Sequence, residues 1–364
     1  MKYTRREFIK QAAVGSALIS LPSFLPPGRG FSSRQDKKLR IALVGLGNYA
    51  THELAPALQE TKYCTLGGIV TGTLEKAERW KKEYDIDDKN IYNYQNFDNI
   101  AKNDAIDVVY VVLPNSMHHD FVLRAAAAHK HVFCEKPMSV SVKEAHEMID
   151  ACKKAGVRLF IGYRLHSEPY NQYAAKFRTT GVGSIKTVES EFAFRIGDPA
   201  QWRLRKSLAG GGALMDLGIY AIQAARYSTG EEPVSVTATE EKTDPVKFKE
   251  VDETIRWGMQ FPGGAVSKSY ASYNGNANRL RIDAEKGWLE LEPAFLYSGI
   301  EGRTNSGPLN LPSVNQQAAQ MDDFAQCIFQ RSQSNADGEE GLKDMKVIAA
   351  IYESIATGRP AKVQ

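Results

Sequence analysis

The apolar positions change rhythm once along this chain, and the change divides it. From Leu39 to about Tyr163, short unbroken apolar runs alternate with stretches of helical period. Leu39–Val44 is the first run, closed by a glycine turn and followed by a predicted helix near His52–Glu60. Thr65–Val70, Val108–Leu113, Val132–Cys134 and Leu159–Gly162 read as further strands. Between them the pattern predicts helices at Leu74–Tyr84, Ser116–His129 and Val142–Ala155. Unbroken apolar strands alternating with helices predict a parallel sheet covered on both faces.

Beyond residue 163 the period shortens to two. Strands are predicted at Ile185–Phe194, Val234–Glu241, Glu253–Phe261, Ala265–Tyr273, Arg279–Ala284 and Trp288–Glu292, with turns at Pro262-Gly263-Gly264 and Lys286-Gly287. Ala213–Ser228 reads as a helix, and two more close the chain at about Asn315–Arg331 and Glu339–Thr357. The expectation is an α/β domain over 37–163, then an α+β domain over 164–364 with a large open antiparallel sheet. One face of that sheet has helices to cover it. The other is expected to meet a second copy of the chain, giving a homodimer or homotetramer.

The first residues add an address. Thr4-Arg5-Arg6-Glu7-Phe8-Ile9-Lys10 precedes an apolar stretch, Ala12 to Leu25, the pattern of a twin-arginine export leader. The stretch is interrupted by Gly15, Ser16, Ser20, Pro22 and Ser23, too short and broken for a span of ~20 apolar residues. A leader over 1–31, cut between Leu25 and Ser33, predicts export to the periplasm already folded. Its removal changes the charge picture: 41 basic residues face 42 acidic ones, so a nucleic-acid partner is not indicated. Cys64, Cys134, Cys152 and Cys327 form no CxxC pair, and no metal-ligand spacing appears.

Candidate chemistry gathers at the ends of the predicted parallel strands, where ligands of such sheets bind. Gly45-Leu46-Gly47-Asn48-Tyr49-Ala50 follows the first strand and opens a helix, the GxGxxA arrangement that cradles a dinucleotide pyrophosphate. No acid ends the second strand to take the 2′-hydroxyl of NAD. Thr71 and Lys76 stand there instead, which favours NADP over NAD. Leu113-Pro114-Asn115-Ser116 ends another strand, with His118 one turn on, either a structural cap or a cofactor contact.

Cys134-Glu135-Lys136-Pro137 ends a third strand, and a lysine before proline is kept out of helical geometry. A cis bond there would fix the ammonium's direction. In Trp202–Tyr227, Gly210-Gly211-Gly212 would let backbone approach a ligand, and Asp216 and Tyr220 share one helix face. Tyr220 needs a cation beside it to act as a base at neutral pH, and Lys136 can supply one.

The motifs GLGNYA, LPNS-x-H, CEKPM, IGYR-x-H, WRLR-x-x-LAGGG-x-LMD-x-GIY, RY-x-x-GEEP and IYE-x-x-x-TGRP run from about Arg40 to Arg359. The chain resembles the glucose–fructose oxidoreductase and inositol dehydrogenase family (Gfo/Idh/MocA). Tyr220, where many members carry histidine, points to the glucose–fructose oxidoreductase branch. That resemblance implies Lys136, Asp216 and Tyr220 as catalytic residues. It implies cofactor contacts from Gly45, Leu46, Gly47, Asn48, Tyr49, Thr71, Lys76, Pro114, Asn115, His118, Glu135, Lys136, Arg164, Trp202, Arg203 and Tyr297. It also implies sugar substrates, with an aldose oxidised to a lactone and a ketose reduced to a polyol on one tightly held NADP. Two other readings remain open: an exported enzyme that oxidises a glycoside at carbon 3 or cleaves its glycosidic bond with the nicotinamide recycled, and a non-catalytic sugar- or nucleotide-binding protein.

Overall fold

A computed structural model describes residues 38–364; the predicted leader lies outside the described residues. The first sheet has six strands, all parallel, in the order β3-β2-β1-β4-β5-β6. They are β1 (Leu39–Val44), β2 (Cys64–Val70), β3 (Ile91–Tyr92), β4 (Val108–Val111), β5 (His131–Cys134) and β6 (Leu159–Ile161). The helices between them are α1 (Ala55–Glu60), α2 (Leu74–Tyr84), α3 (His118–Ala127) and α4 (Val142–Ala155). Ser141 caps α4 by accepting the Glu144 N–H, and Gly156 at φ 69° ends it, start and stop signals the sequence carries openly. Register aligns the strand ends: Val44 pairs with Val70 and with Val111, and Cys134 with Val111 and Ile161. Gly45, Thr71, Glu135 and Gly162 therefore leave the sheet at one level.

The second sheet has nine strands: β7 (Ile185–Ala193), β8 (Ser235–Glu241), β9 (Thr254–Gln260), β10 (Val266–Ser272), β11 (Ala277–Ala284), β12 (Gly287–Leu291), β13 (Gly302–Thr304), β14 (Gly307–Pro308) and β15 (Ala361–Lys362). It is mostly antiparallel but mixed, because β7 lies between β10 and β11 and runs parallel to β10. Turn residues report only hairpins between consecutive strands. The insertion of β7, far earlier in the chain, left no local sign.

Among the helices of this half are α5 (Pro169–Lys176), which the period-two reading missed, α6 (Lys206–Ala209), α7 (Ile219–Thr229), α8 (Gln316–Gln330) and α9 (Gly338–Thr357). α7 packs on β7, and α9 lies against both α4 and β8. Phe324 of α8 stacks on Phe160 at 4.7 Å and meets Phe133 edge-on at 5.0 Å, so the apolar core does not stop at residue 163. The sheet's other face carries Arg256 over Tyr270, Arg281 over Trp288, and Glu290 between Arg279 and Arg303. The four cysteines are buried and free, and no described helix is long and apolar enough to cross a membrane.

Candidate active site

The strand order reverses between β1 and β4, and the glycine loop sits at that switch point. Gly45 has φ +96°, and a Cβ on it would lie 2.5 Å from the Val112 carbonyl oxygen, so the turn demands glycine. Gly47 differs: a Cβ there would meet nothing within 4 Å. The protein's own packing does not need that glycine, and the bare backbone faces open space at a helix entrance, where an anion is favoured. The helix begins with a wide π-type turn over Ala50–Leu54 before α1. The Lys76 ammonium donates to the Leu46 carbonyl at 3.0 Å, which holds its charge against the loop. Thr71 is buried and its hydroxyl accepts the Thr73 N–H at 3.2 Å. An open, basic loop at the switch point fits a dinucleotide.

Three residues expected at the cofactor also bond within the protein. His118 is fully buried, its Nδ1 2.9 Å from the Pro137 oxygen and its Nε2 2.8 Å from the Leu113 oxygen, so the ring ties two strand-end loops together. That geometry is the one the structural-cap reading expects. The Asn115 amide donates to the Ala209 carbonyl at 2.8 Å, joining the first half to the segment before the triple glycine. Buried Glu135 accepts from the Tyr110 hydroxyl at 2.7 Å, and Gly162 leaves room for its carboxylate. Burial raises the Glu135 pKa, opposed by Tyr110, Lys136 and Arg164.

The chemistry end is built across the two halves. Lys136–Pro137 is cis. The Lys136 ammonium donates to the backbone carbonyl of Asp216 at 2.8 Å and to its Oδ1 at 3.0 Å. The other carboxylate oxygen, Oδ2, accepts from Arg203 Nε at 3.0 Å and from the Tyr273 hydroxyl at 3.1 Å. Burial works against the charge on Asp216, but Lys136, Arg203 and Tyr273 override it and hold the carboxyl well below its usual range. Burial likewise works against the Lys136 ammonium, and Tyr220 and Asp216 more than restore it. Asp216 and Tyr220 lie on one side of α7's entrance, as their spacing predicted. Both face Lys136, whose Nζ lies 4.8 Å from the Tyr220 ring centre, with the Arg164 guanidinium 5.0 Å from that ring.

Asp216 lies in a second π-type turn, Leu214–Gly218, which leads into α7. Such turns recur at functional sites, and here one stands at each helix entrance of the cleft. The turn is anchored by Asp252, whose carboxylate accepts the N–H groups of Gly212 at 2.7 Å and Leu214 at 2.8 Å and the Tyr352 hydroxyl at 2.7 Å. A Cβ on Gly212 would lie 2.0 Å from the Asp252 carbonyl, and one on Gly211 2.1 Å from the Tyr352 hydroxyl. These glycines let the protein approach itself, where the sequence reading expected approach to a ligand.

Residues 39–163 match the family model described as "Oxidoreductase family, NAD-binding Rossmann fold", and residues 171–290 match the GFO/IDH/MocA C-terminal domain. The chain belongs to the Gfo/Idh/MocA oxidoreductase family. A solved aldose-aldose oxidoreductase from Caulobacter crescentus, complexed with glycerol, is 44% identical with a TM-score of 0.87, covering 90% of this chain and 100% of that one. D-xylose 1-dehydrogenase [NADP(+)] of Haloarcula marismortui is 31% identical over 88% of this chain and 92% of its own. D-glucoside 3-dehydrogenase of Escherichia coli is 26% identical over 90% and 98%. The chain is an NAD(P)-binding sugar oxidoreductase of this family.

Of the residues expected from sequence, the structure brings Lys136, Asp216, Tyr220, Arg164 and Arg203 into one cluster. Trp202 stacks under the Arg203 guanidinium at 4.7 Å. Tyr297 lies 4.4 Å from the Arg164 guanidinium and 6.0 Å from Tyr49 of the glycine loop. Gly47 and Asn48 are exposed, Leu46 is buried beneath them, and Pro114 is half-buried at the end of β4. Sequence reasoning missed Tyr273, Asp252 and Tyr352. Their partners lie 57, 40 and 100 residues away, and although Tyr352 falls in the IYE motif, nothing local gives any of the three its role. Among the described residues no cluster of three His, Cys, Asp or Glu could hold a metal.

Proposed function

We propose that the protein oxidises an aldose at its anomeric carbon to an aldonolactone and returns the same two electrons to the carbonyl of a second sugar, with NADP retained between the half-reactions. The observation that carries this reading is the meeting of Lys136, Asp216, Arg203 and Tyr220 at the edge where the glycine loop lies. A nicotinamide bound there supplies the hydride acceptor and donor. Tyr220, flanked by Lys136 and Arg164, takes the proton of the anomeric hydroxyl and returns it to the second sugar's oxygen. Lys136 steadies the charge that develops on that oxygen. Asp216 keeps the ammonium aimed.

Similarity to the Caulobacter aldose-aldose oxidoreductase favours an aldose as second substrate over the ketose expected from sequence. The name of the Haloarcula relative, with Lys76 at the glycine loop, favours NADP. Export by the twin-arginine leader fits a retained cofactor, since an exported enzyme would have no pool to draw on. Assembly through the arginine- and aromatic-bearing sheet face completes the proposal.

Anaerobic mixing of NADP-loaded protein with glucose or xylose alone should produce reduced-nicotinamide absorbance, which a second aldose then discharges. No absorbance with any aldose would sink the reading. The Escherichia coli relative favours a second one, oxidation at carbon 3. A methyl glycoside has no free anomeric hydroxyl, so reduction of the nicotinamide by methyl glucoside would exclude carbon 1 and favour this second reading.

A further inference from the structure

We infer that Tyr273 is a positioning residue of the active site, setting the angle at which the Asp216 carboxylate presents its Oδ1 to Lys136. The inference rests on the proposed role of Lys136 and Asp216, but it begins from the placement of one phenol.

Tyr273 stands just past the end of β10, and its main chain is pinned on both sides: its N–H donates to the Glu253 oxygen at 2.9 Å and its carbonyl accepts the Ile196 N–H at 2.9 Å. The ring is 1% exposed, between Phe194 at 5.9 Å and Phe248 at 6.4 Å. With backbone and ring both fixed, the hydroxyl has one place to go. It lies 3.1 Å from Asp216 Oδ2. Arg203 reaches the same oxygen at 3.0 Å from a different element. Two donors on Oδ2 define the plane of the carboxylate as one could not, leaving Oδ1 turned toward Lys136 at 3.0 Å. Arg203 alone would not suffice, since its side chain is 36% exposed and long enough to move. The immobile donor is the tyrosine.

The alternative is that Asp216 merely satisfies a buried phenol, as any acceptor would. The two roles separate in measurement. Tyr273→Phe keeps the ring and its packing, so the fold should survive. If Tyr273 positions Asp216, the variant loses kcat roughly tenfold, the scale of a hydrogen bond to a charged group, while the KM for sugar stays within about twofold. In a double-mutant cycle the loss should disappear on an Asp216→Asn background. An equal loss on both backgrounds, or none on either, would overturn the inference.

A substrate-free measurement stands beside it: titration of the Asp216 carboxyl by ¹³C NMR, assigned through Asp216→Asn. Removing one donor should move that titration upward. Phe248→Leu, which loosens the ring without touching a polar group, should move it the same way by less. If no sugar makes the wild-type protein reduce nicotinamide but the titration still moves, the sugar reading fails and the positioning role stands. If the wild type is active and the titration does not move, only the positioning role fails.

Discussion

The two ends of the cleft are held by different means. At the cofactor end the main chain does the holding: β1, β2 and β4 finish at one level, Gly45 turns, and Gly47 leaves its backbone bare. At the chemistry end side chains do it, and each reaches far along the sequence. Lys136 meets Asp216 across 80 residues, Tyr273 meets it across 57, and Asp252 anchors Gly212 across 40. A site held by backbone tolerates exchange of its side chains. One held by a few charged and hydroxyl groups fails when any of them is cut.

The largest effect should come from the lysine. Lys136→Met is expected to lower sugar-dependent nicotinamide reduction about 10³-fold, at the scale of acid–base and charge stabilisation together. NADP binding, read by fluorescence titration, should change far less. If binding falls as steeply as turnover, the two ends are not separate.

The glycines offer a matched pair. Gly212→Ala puts a methyl 2.0 Å from the Asp252 carbonyl and should cost about 3 kcal/mol of stability or more, seen as a lower Tm. Gly47→Ala meets no protein atom within 4 Å. It should leave the Tm of the free protein unchanged and weaken NADP binding at least about tenfold by standing where a phosphate approaches. A Gly47→Ala protein that binds NADP normally would place the cofactor elsewhere.

Smaller, but with a defined sign, is the pH dependence of stability. The folded-state pKa of Asp216 lies below its unfolded value, so its contribution is present above about pH 4 and is lost as pH falls further. Asp216→Asn lacks that contribution. Wild type should therefore exceed the variant in Tm near neutral pH, and the gap should narrow on acidification. A gap that widens toward low pH would mean the carboxyl is protonated in the folded protein. The smallest effect is expected at Lys76, an accessible charge whose worth water screens. Lys76→Ala should reduce the preference for NADP over NAD by a few-fold, measured as the ratio of the two dissociation constants.

How far the residues could be read in advance follows the same division. The glycine loop, the strand runs and the caps at Ser141 and Gly156 are local, so period and composition reveal them. The parallel placement of β7 beside β10 is not local, and hairpin turns suggested a purely antiparallel sheet. Lys136, Asp216 and Tyr220 could be selected because the family resemblance spans the chain. The partnerships could not: an arginine expected at the cofactor, Arg203, grips the Asp216 carboxylate, and Tyr273 carried no mark beyond being an aromatic at a strand's end. His118 is a motif residue whose two ring nitrogens both face backbone carbonyls, a surrounding that no local pattern foretold.

One contact bears on time rather than on chemistry. Arg164 leaves the end of β6 and donates to the carbonyls of Leu296 at 3.1 Å and Phe295 at 2.6 Å, with Tyr297 resting on its guanidinium. Swinging that stretch away from Tyr49 takes both carbonyls from a buried cation and leaves it the Gln316 side chain. The segment beside the glycine loop is thus latched by a charge, and under the proposed function such a latch would set how long a bound nucleotide dwells.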